Sequence, residues 1–442
     1  MAFYASSDGS VRGVNVTAAA EAWTYWTGGP VLTAPVFTAG NLYVGSGDGW
    51  VHCLNAETGA LRWRWRGAPV EHSTMVYGKL TSAWPITSVM EHDGVLYGVA
   101  GMWMQNGSAT FALDATTGEP RWTTWTAPHH DDALELFKRE AHGFGPCGYL
   151  AMVGPHLWVR THLGIPAVFD AKTGTRVPPA ADFFAVAKSG WNIGFRTATA
   201  GQDILVLDEH TVLQGGQPLL SNPDMRHDKS AAKYLAWMTD ADGRVTAKPL
   251  PQGAVPHSQI APAVDNREAL IVGGVGKDGR SANSTLDLSL WDAASWRKEY
   301  TAMPGAKSAT RGDDDAADPS APKAKPRPGN RDSAVGAEIQ NFKTTLDLTQ
   351  SRWRLDQMDV NAIALAENAA IVAHGKRESW GRSVAHPGFT AWQLTALDRA
   401  TGKERWTVNL PAEPIFNALA PAADGRWILT LRDGGLAVVV GK

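Results

Sequence analysis

The chain repeats itself, and that limits what it can become more than any other feature. The segment from Leu42, LYVGSGDGWVHCLNAETGALRWRW, falls on FYASSDGSVRGVNVTAAAEAWTYW when shifted back by 40 residues. Asp8-Gly9 then meets Asp48-Gly49, Asn15 meets Asn55 and Trp23 meets Trp63. The unit returns from Leu96 as LYGVAGMWMQNGSATFALDATTGEPRWTTW and from Leu394 as LTALDRATGKERWTVNL. Weaker copies are AVFDAKTG at 167–174 and LSLWDAASWRKEY at 288–300. Self-similarity at such a period marks an array of supersecondary units, each burying its apolar face against its neighbours.

Each part of the unit has a mechanical reading. Leu42-Tyr43-Val44 and its copies alternate as a half-buried strand does. Asp48-Gly49 supplies the positive φ of a tight hairpin. The Asx-Ala-x-Thr-Gly stretch makes the next turn, its side chain bonding backbone N–H groups and its Gly taking the left-handed conformation. Four residues after that Gly stands a Trp, as in Gly59 to Trp63, Gly118 to Trp122 and Gly402 to Trp406. Trp63, Trp122 and Trp406 are therefore expected to fill the space between neighbouring units. That gives many of the 19 tryptophans a packing role, and the 45 Gly and 26 Pro residues suit a chain with many short turns.

These units resemble the blades of pyrroloquinoline-quinone-like (PQQ-like) propellers, whose relatives include quinoprotein alcohol dehydrogenases and a propeller lipoprotein of bacterial outer-membrane assembly. GKLTSAWPITSVMEHDGVLYGVAG at 78–101 is similar to a variant found in large bacterial proteins of planctomycete type. The resemblance implies an all-β β-propeller of four-stranded antiparallel blades. Eight units are expected, near 1–28, 31–67, 85–127, 147–180, 190–222, 258–303, 358–411 and 415–442, with seven as the alternative count. The first lacks its innermost strand and the last its outermost, so these two ends are expected to meet. Residues 1–442 then form a single propeller domain. Residues 304–337, rich in Ala, Pro, Asp and Lys, have too little apolar surface to offset their ordering entropy and are expected to be a disordered insertion within a blade or between two. The polar stretch 221–233 is expected to be a loop.

Several function classes lack their signals. The net charge of −3 provides no basic field for nucleic acid or anionic lipid, and no apolar run approaches a membrane span. Cys53 and Cys147 lie in different repeats and are expected to be buried thiols. The first 20 residues have neither the basic start nor the apolar stretch of a signal peptide, and we expect the gene product to begin further upstream. By resemblance the protein is expected to be periplasmic or otherwise extracytoplasmic.

The same resemblance raises a calcium-held PQQ cofactor, but no Cys-Cys pair and no stretch matching the dehydrogenases' calcium ligands or Asp base is found. His129-His130-Asp131-Asp132 and Asp313-Asp314-Asp315 are adjacent charges without the interleaved spacing of ligands. No nucleophile elbow or phosphate loop is present.

The candidate site residues are those that break or extend the repeat. Trp84 stands before a strand and Trp103 in an insertion. Arg160 and His162 lie where the hairpin of the fourth unit belongs. Trp191 and Arg196 open the fifth unit, and Arg377, Trp380 and Arg382 occupy an expanded hairpin in the seventh. Trp84, Trp103, Arg160, Trp191, Arg196 and Trp380 are expected around one mouth of the central funnel, where an aromatic floor with arginines suits a planar or sugar ring bearing a carboxylate. The expected function is a non-catalytic binding or scaffold propeller whose face takes a protein, a glycan or a small ligand. The alternatives are a PQQ-dependent alcohol or sugar oxidoreductase and a polysaccharide hydrolase or lyase.

Overall fold

A computed structural model describes residues 1–76, 78–103, 106–126, 144–161, 166–178, 351–355, 358–377, 389–422 and 424–440. Between 204 and 292 it describes the strands named below with a few flanking residues. Among the described residues every regular element is a β-strand, and consecutive strands pair antiparallel in sequence order.

The first sheet holds Ala2–Ala5, Ser10–Asn15 and Ala20–Trp26. The second holds Val36–Thr38, Asn41–Gly45, Trp50–Asn55 and Leu61–Arg66. The third runs through Ile86–His92, Val95–Ala100, Ser108–Asp114 and Pro120–Thr126. The fourth has Pro146–Val153, His156–Thr161 and Ala167–Asp170. The fifth comprises Ile204–Val206, Thr211–Gln214, Tyr234–Thr239 and Val245–Leu250. The sixth comprises Ala263–Val264, Glu268–Gly273, Asp287–Asp292 and Trp353–Leu355. The seventh has Asp359–Leu365, Ala369–Arg377, Phe389–Asp398 and Glu404–Leu410. The eighth ends the chain with Pro414–Pro421, Arg426–Leu431 and Leu436–Val440. A separate hairpin, Ser73–Val76 with Lys79–Ser82, stands between the second and third sheets.

The turns are built as their residues require. The side-chain oxygens of Asn15, Asn55, Asp114, Asp170 and Asp398 each accept the backbone N–H groups two and three residues on, at 2.7–3.1 Å. Gly59, Gly118, Gly174 and Gly402 follow with φ between 69° and 77°. The glycine is needed twice over. A Cβ on any of the four would lie 2.4–2.8 Å from a tryptophan ring of the preceding sheet.

Those tryptophans fasten each sheet to the next. Trp23 Nε1 donates to Ala56 O at 3.1 Å, Trp122 Nε1 to Ala171 O at 3.0 Å and Trp353 Nε1 to Arg399 O at 2.9 Å. Trp63 sits against Gly118 in the same way, but there the hydroxyl of Tyr43 takes the Ala115 carbonyl at 2.8 Å. Trp406 packs against the core cluster that joins the seventh sheet to Trp427, Leu429 and Val439 of the eighth. The expected packing role of Trp63, Trp122 and Trp406 is what the structure shows.

Two unit boundaries differ from expectation. The fifth sheet ends at Leu250, not near 222, because its third and fourth strands lie beyond the polar stretch 221–233. In the sixth, the outer strand is Trp353–Leu355, not the Trp-containing stretch near 296–300. The segment 304–337 lies outside the described residues, but its flanking strands Asp287–Asp292 and Trp353–Leu355 pair with each other, which puts it inside the sixth sheet. Long insertions at these two points separate strands that the repeat elsewhere keeps adjacent. The two ends of the chain do meet: Arg426 of the eighth sheet donates to Val16 O at 2.6 Å and to Thr17 Oγ1 at 2.8 Å.

Candidate functional site

Because strands alternate in direction, the Ser-x-Asp-Gly hairpins and the linkers between sheets emerge at one end of every sheet. The Asx-x-x-Thr-Gly turns emerge at the other. The hairpin-and-linker face of the first two sheets is held together by bonds between loops. Asp48 Oδ2 accepts from Gly28 N at 2.8 Å, and Gly47 N donates to Pro30 O at 2.7 Å. The 73–82 hairpin is pinned across it: Lys79 Nζ donates to Ser7 Oγ at 2.9 Å, and Thr81 Oγ1 and Ser82 N both donate to Gly47 O at 2.6 Å.

The hairpin presents Met75 and Leu80, a directly opposed cross-strand pair, at 65% and 64% exposure. Two such side chains side by side on a two-stranded ribbon have nothing of the protein to cover them among the described residues. Val70 in the same linker and Trp26, at the linker end of its strand, are also exposed.

Trp84 leaves this linker half-buried. Its Nε1 donates to Asn106 O at 2.8 Å, and its ring meets Trp125 and His72 edge-on with centroids 6.1 and 6.3 Å away. Asn106 N in turn donates to Trp103 O at 3.0 Å, so Trp84 and the exposed Trp103 belong to one loop assembly above the third sheet. Arg160 stands near the hairpin end of the second strand of the fourth sheet, is buried, and points Nη1 at Cys147 Sγ, 3.3 Å away, on that sheet's first strand. Burial pushes the Cys147 thiol up against the pull of the Arg160 charge, so the sulfur stays a neutral thiol. Trp191, Arg196 and Trp380 lie outside the described residues, as do His162 and the 129–132 run. The side chain of Arg377 is not described either, although its backbone ends a strand.

Sequence reasoning missed one chain of polar groups on this face. Tyr25 OH lies 3.0 Å from His52 Nδ1, and His52 Nε2 lies 3.1 Å from Asp48 Oδ2. With the carboxylate as acceptor, Nε2 carries the proton and Nδ1 accepts from the phenol. Burial, and after it the Asp48 charge, raises the Tyr25 phenol, which stays protonated. Burial also pushes Asp48 up, but the His52 contact and the N–H groups of Trp50 and Gly28 outweigh it and hold the carboxyl below its usual value of 3.8. The Asp-x-x-x-His spacing was the available signal, hidden because His52 stands at an ordinary strand position.

A calcium-held quinone needs several oxygen ligands converging on one ion. Among the described residues no three His, Cys, Asp or Glu side chains gather in that way, so these residues do not supply the donor set. Among them, too, no helix is long and apolar enough to cross a membrane.

Residues 7–140 match the protein family described as outer membrane protein assembly factor BamB. Over that stretch the repeats match PQQ-like repeats, and the fold is a β-propeller. BamB from Moraxella catarrhalis shares the fold at TM-score 0.50 and 12% identity, over 100% of this chain and 91% of that one. The quinohemoprotein alcohol dehydrogenase ADHIIG of Pseudomonas putida HK5 does so at 0.50 and 11%, over 97% and 67%. Dihydro-heme d1 dehydrogenase NirN does so at 0.51 and 12%, over 99% and 69%. At these identities the likeness is one of fold, and one propeller fold carries both assembly and redox proteins. A search of curated proteins found no match.

Proposed function

We propose that this propeller is a non-catalytic binding module, and that it contacts a protein partner through the hairpin-and-linker face of its first four sheets. The observation that carries this is the apolar pair Met75 and Leu80, exposed on a hairpin whose own fastening to Ser7 and Gly47 fixes where it points. An isolated two-stranded hairpin is marginal in water, so pinning it in place while leaving its apolar pair uncovered fits a contact surface. Trp103 and the Trp84–Trp125 pair extend the same face with flat aromatic area, which interfaces favour. The extracytoplasmic setting and the assembly role belong to this reading through the family match over residues 7–140.

The test sets binding against quinone-dependent oxidation. Purified protein is mixed with PQQ and calcium, and absorbance and dye reduction are followed with alcohols and aldoses. A spectrum equal to the sum of its components, with no dye reduced, is expected. Quinone-dependent turnover overturns the reading.

A further inference from the structure

The outer strand of the second sheet departs from its counterparts, and its departures lie together. In the first, third and seventh sheets the residue after the docking tryptophan is a threonine, Thr24, Thr123 or Thr407. After Trp63 it is Arg64. The third strand differs at the matching place. Ser10, Ala109 and Gln393 stand opposite Trp26, Trp125 and Asn409 near the ends of the other outer strands. In the second sheet Trp50 stands there, opposite Arg66. The two departures meet: the Arg64 guanidinium lies over the half-buried Trp50 ring, 4.5 Å from its centroid.

The residue before the tryptophan is an arginine in four sheets, and in three of them a carboxylate of the same sheet holds it. Arg121 Nη2 donates to Asp114 Oδ2 at 3.0 Å, Arg405 Nε donates to Asp398 Oδ2 at 3.1 Å, and Arg352 donates to Glu268. In the second sheet the residue in the place of Asp114 and Asp398 is Asn55, whose side-chain oxygen accepts from the N–H groups of Glu57 and Thr58 and carries no charge. Among the described residues neither Arg62 nor Arg64 is paired with a carboxylate, and Arg66 only approaches the exposed Glu71, at 3.5 Å. All three arginines are exposed. They occupy alternate positions of one strand, about 6.6 Å apart along it.

We infer that Arg62, Arg64 and Arg66 form a docking ladder for an acidic, extended segment of a partner protein, with carboxylates at alternate residues. Every second side chain of an extended segment recurs at the same rise as these arginines, so one side of it meets the whole row. Guanidinium groups take carboxylates in paired hydrogen bonds. Stacking on Trp50 holds Arg64 in place beforehand, which lowers the ordering cost of binding. A nucleic-acid backbone or an anionic membrane draws on a wide basic field, and the net charge of −3 favours a ligand with a few charges instead. The row lies on the outer strand and not on the 73–82 hairpin, so it does not depend on the reading of Met75 and Leu80.

The probe is the fluorescein-labelled peptide TETETET, titrated against the intact chain at low ionic strength by fluorescence anisotropy, beside TQTQTQT and TTEEETT. TETETET is expected to bind saturably and one to one, and the uncharged TQTQTQT not to saturate. TTEEETT has the same charge, but its adjacent carboxylates point to opposite sides, and it is expected to bind several-fold weaker. Arg62→Gln and Arg64→Gln should each weaken TETETET about five-fold while keeping the wild-type melt. Arg121→Gln, whose charge Asp114 already holds, should leave binding unchanged. Failure of TETETET to bind overturns the inference, since the row then serves only to keep strand edges apart or is covered by the chain's own acidic residues. Equal binding of TTEEETT, equal loss from Arg121→Gln, or tighter binding of an anionic vesicle or a single-stranded oligonucleotide overturns it too.

Discussion

The indole of Trp353 donates to the backbone carbonyl of Arg399, 2.9 Å away, and so joins the outer strand of the sixth sheet to a turn of the seventh. The same bond recurs from Trp23 to Ala56 and from Trp122 to Ala171. Trp353 is buried, and its ring presses on Gly402. Trp353→Ala should therefore cost about 3–5 kcal/mol. Trp353→Phe keeps much of the packing and loses mainly the hydrogen bond, at about 1 kcal/mol. Urea melts of both variants beside the exposed Trp125→Ala check the order; equal midpoints for all three would refute the docking role.

The turn glycines separate two costs that are usually mixed. At Gly425, with φ 82°, an added Cβ meets nothing within 4 Å. Gly425→Ala should lose only the left-handed backbone penalty, about 1–2 kcal/mol. At Gly174 the added Cβ would also lie 2.4 Å from the Trp122 ring. Gly174→Ala should exceed Gly425→Ala by about 1–3 kcal/mol of overpacking, measured as the difference between their denaturation midpoints.

Arg399 is the buried hub between the same two sheets. It donates to Glu268 and Asp265, and its Nη1 donates to Ala366 O at 2.8 Å, while Glu268 also receives Arg352. Arg399→Met leaves the buried Glu268 carboxylate with only the half-exposed Arg352, and should cost about 3–5 kcal/mol. Pairing it with Glu268→Gln should recover part of that loss, since the uncompensated charge goes with it. A double variant no more stable than Arg399→Met would show that packing, not charge, is what Arg399 supplies.

Asp48 predicts a pH dependence with a defined sign. Its folded carboxyl lies below the ordinary 3.8, so the group stabilises the fold above about pH 4 and loses that contribution as pH falls through the lower, folded value. Wild type should exceed Asp48→Asn in stability at pH 6, and the gap should narrow below pH 4. A gap that stays constant down to pH 3 would mean that Asp48 titrates alike in both states. Tyr25→Phe, which strips the donor from His52 Nδ1, should destabilise at both pH values by about 1–3 kcal/mol.

The repeat was legible because its turn chemistry is local. Asp114, Gly118 and Trp122 state their roles within nine residues of chain, and the structure uses all three as written. Trp353 was not legible, because its turn partner in the sequence is displaced by the insertion ahead of it and its role shows only beside Gly402. Arg426 escaped for a similar reason: it takes a carbonyl that elsewhere receives a tryptophan indole, and does so from a strand outside the repeat's tryptophan pattern. Of the candidate site residues, Trp84 and Trp103 share a loop assembly because both sit in departures from the repeat on the same face. Arg160 departs from the repeat too, but it is buried near a strand end and turns Nη1 toward Cys147. Met75 and Leu80 carried no sequence signal, since an apolar pair on a hairpin reads the same whether covered or bare.

The contact surface itself is tested most directly by site-specific photo-crosslinking. A photoreactive amino acid is placed at Met75 on the hairpin face and, as control, at the exposed Glu57 on the turn face. Both variants are expressed in the native host and irradiated, and the adducts are resolved by mass. The account predicts a discrete polypeptide adduct from position 75, abolished by Leu80→Asp, and none from position 57. Equal adducts from both positions, or an adduct from 57 alone, would contradict it.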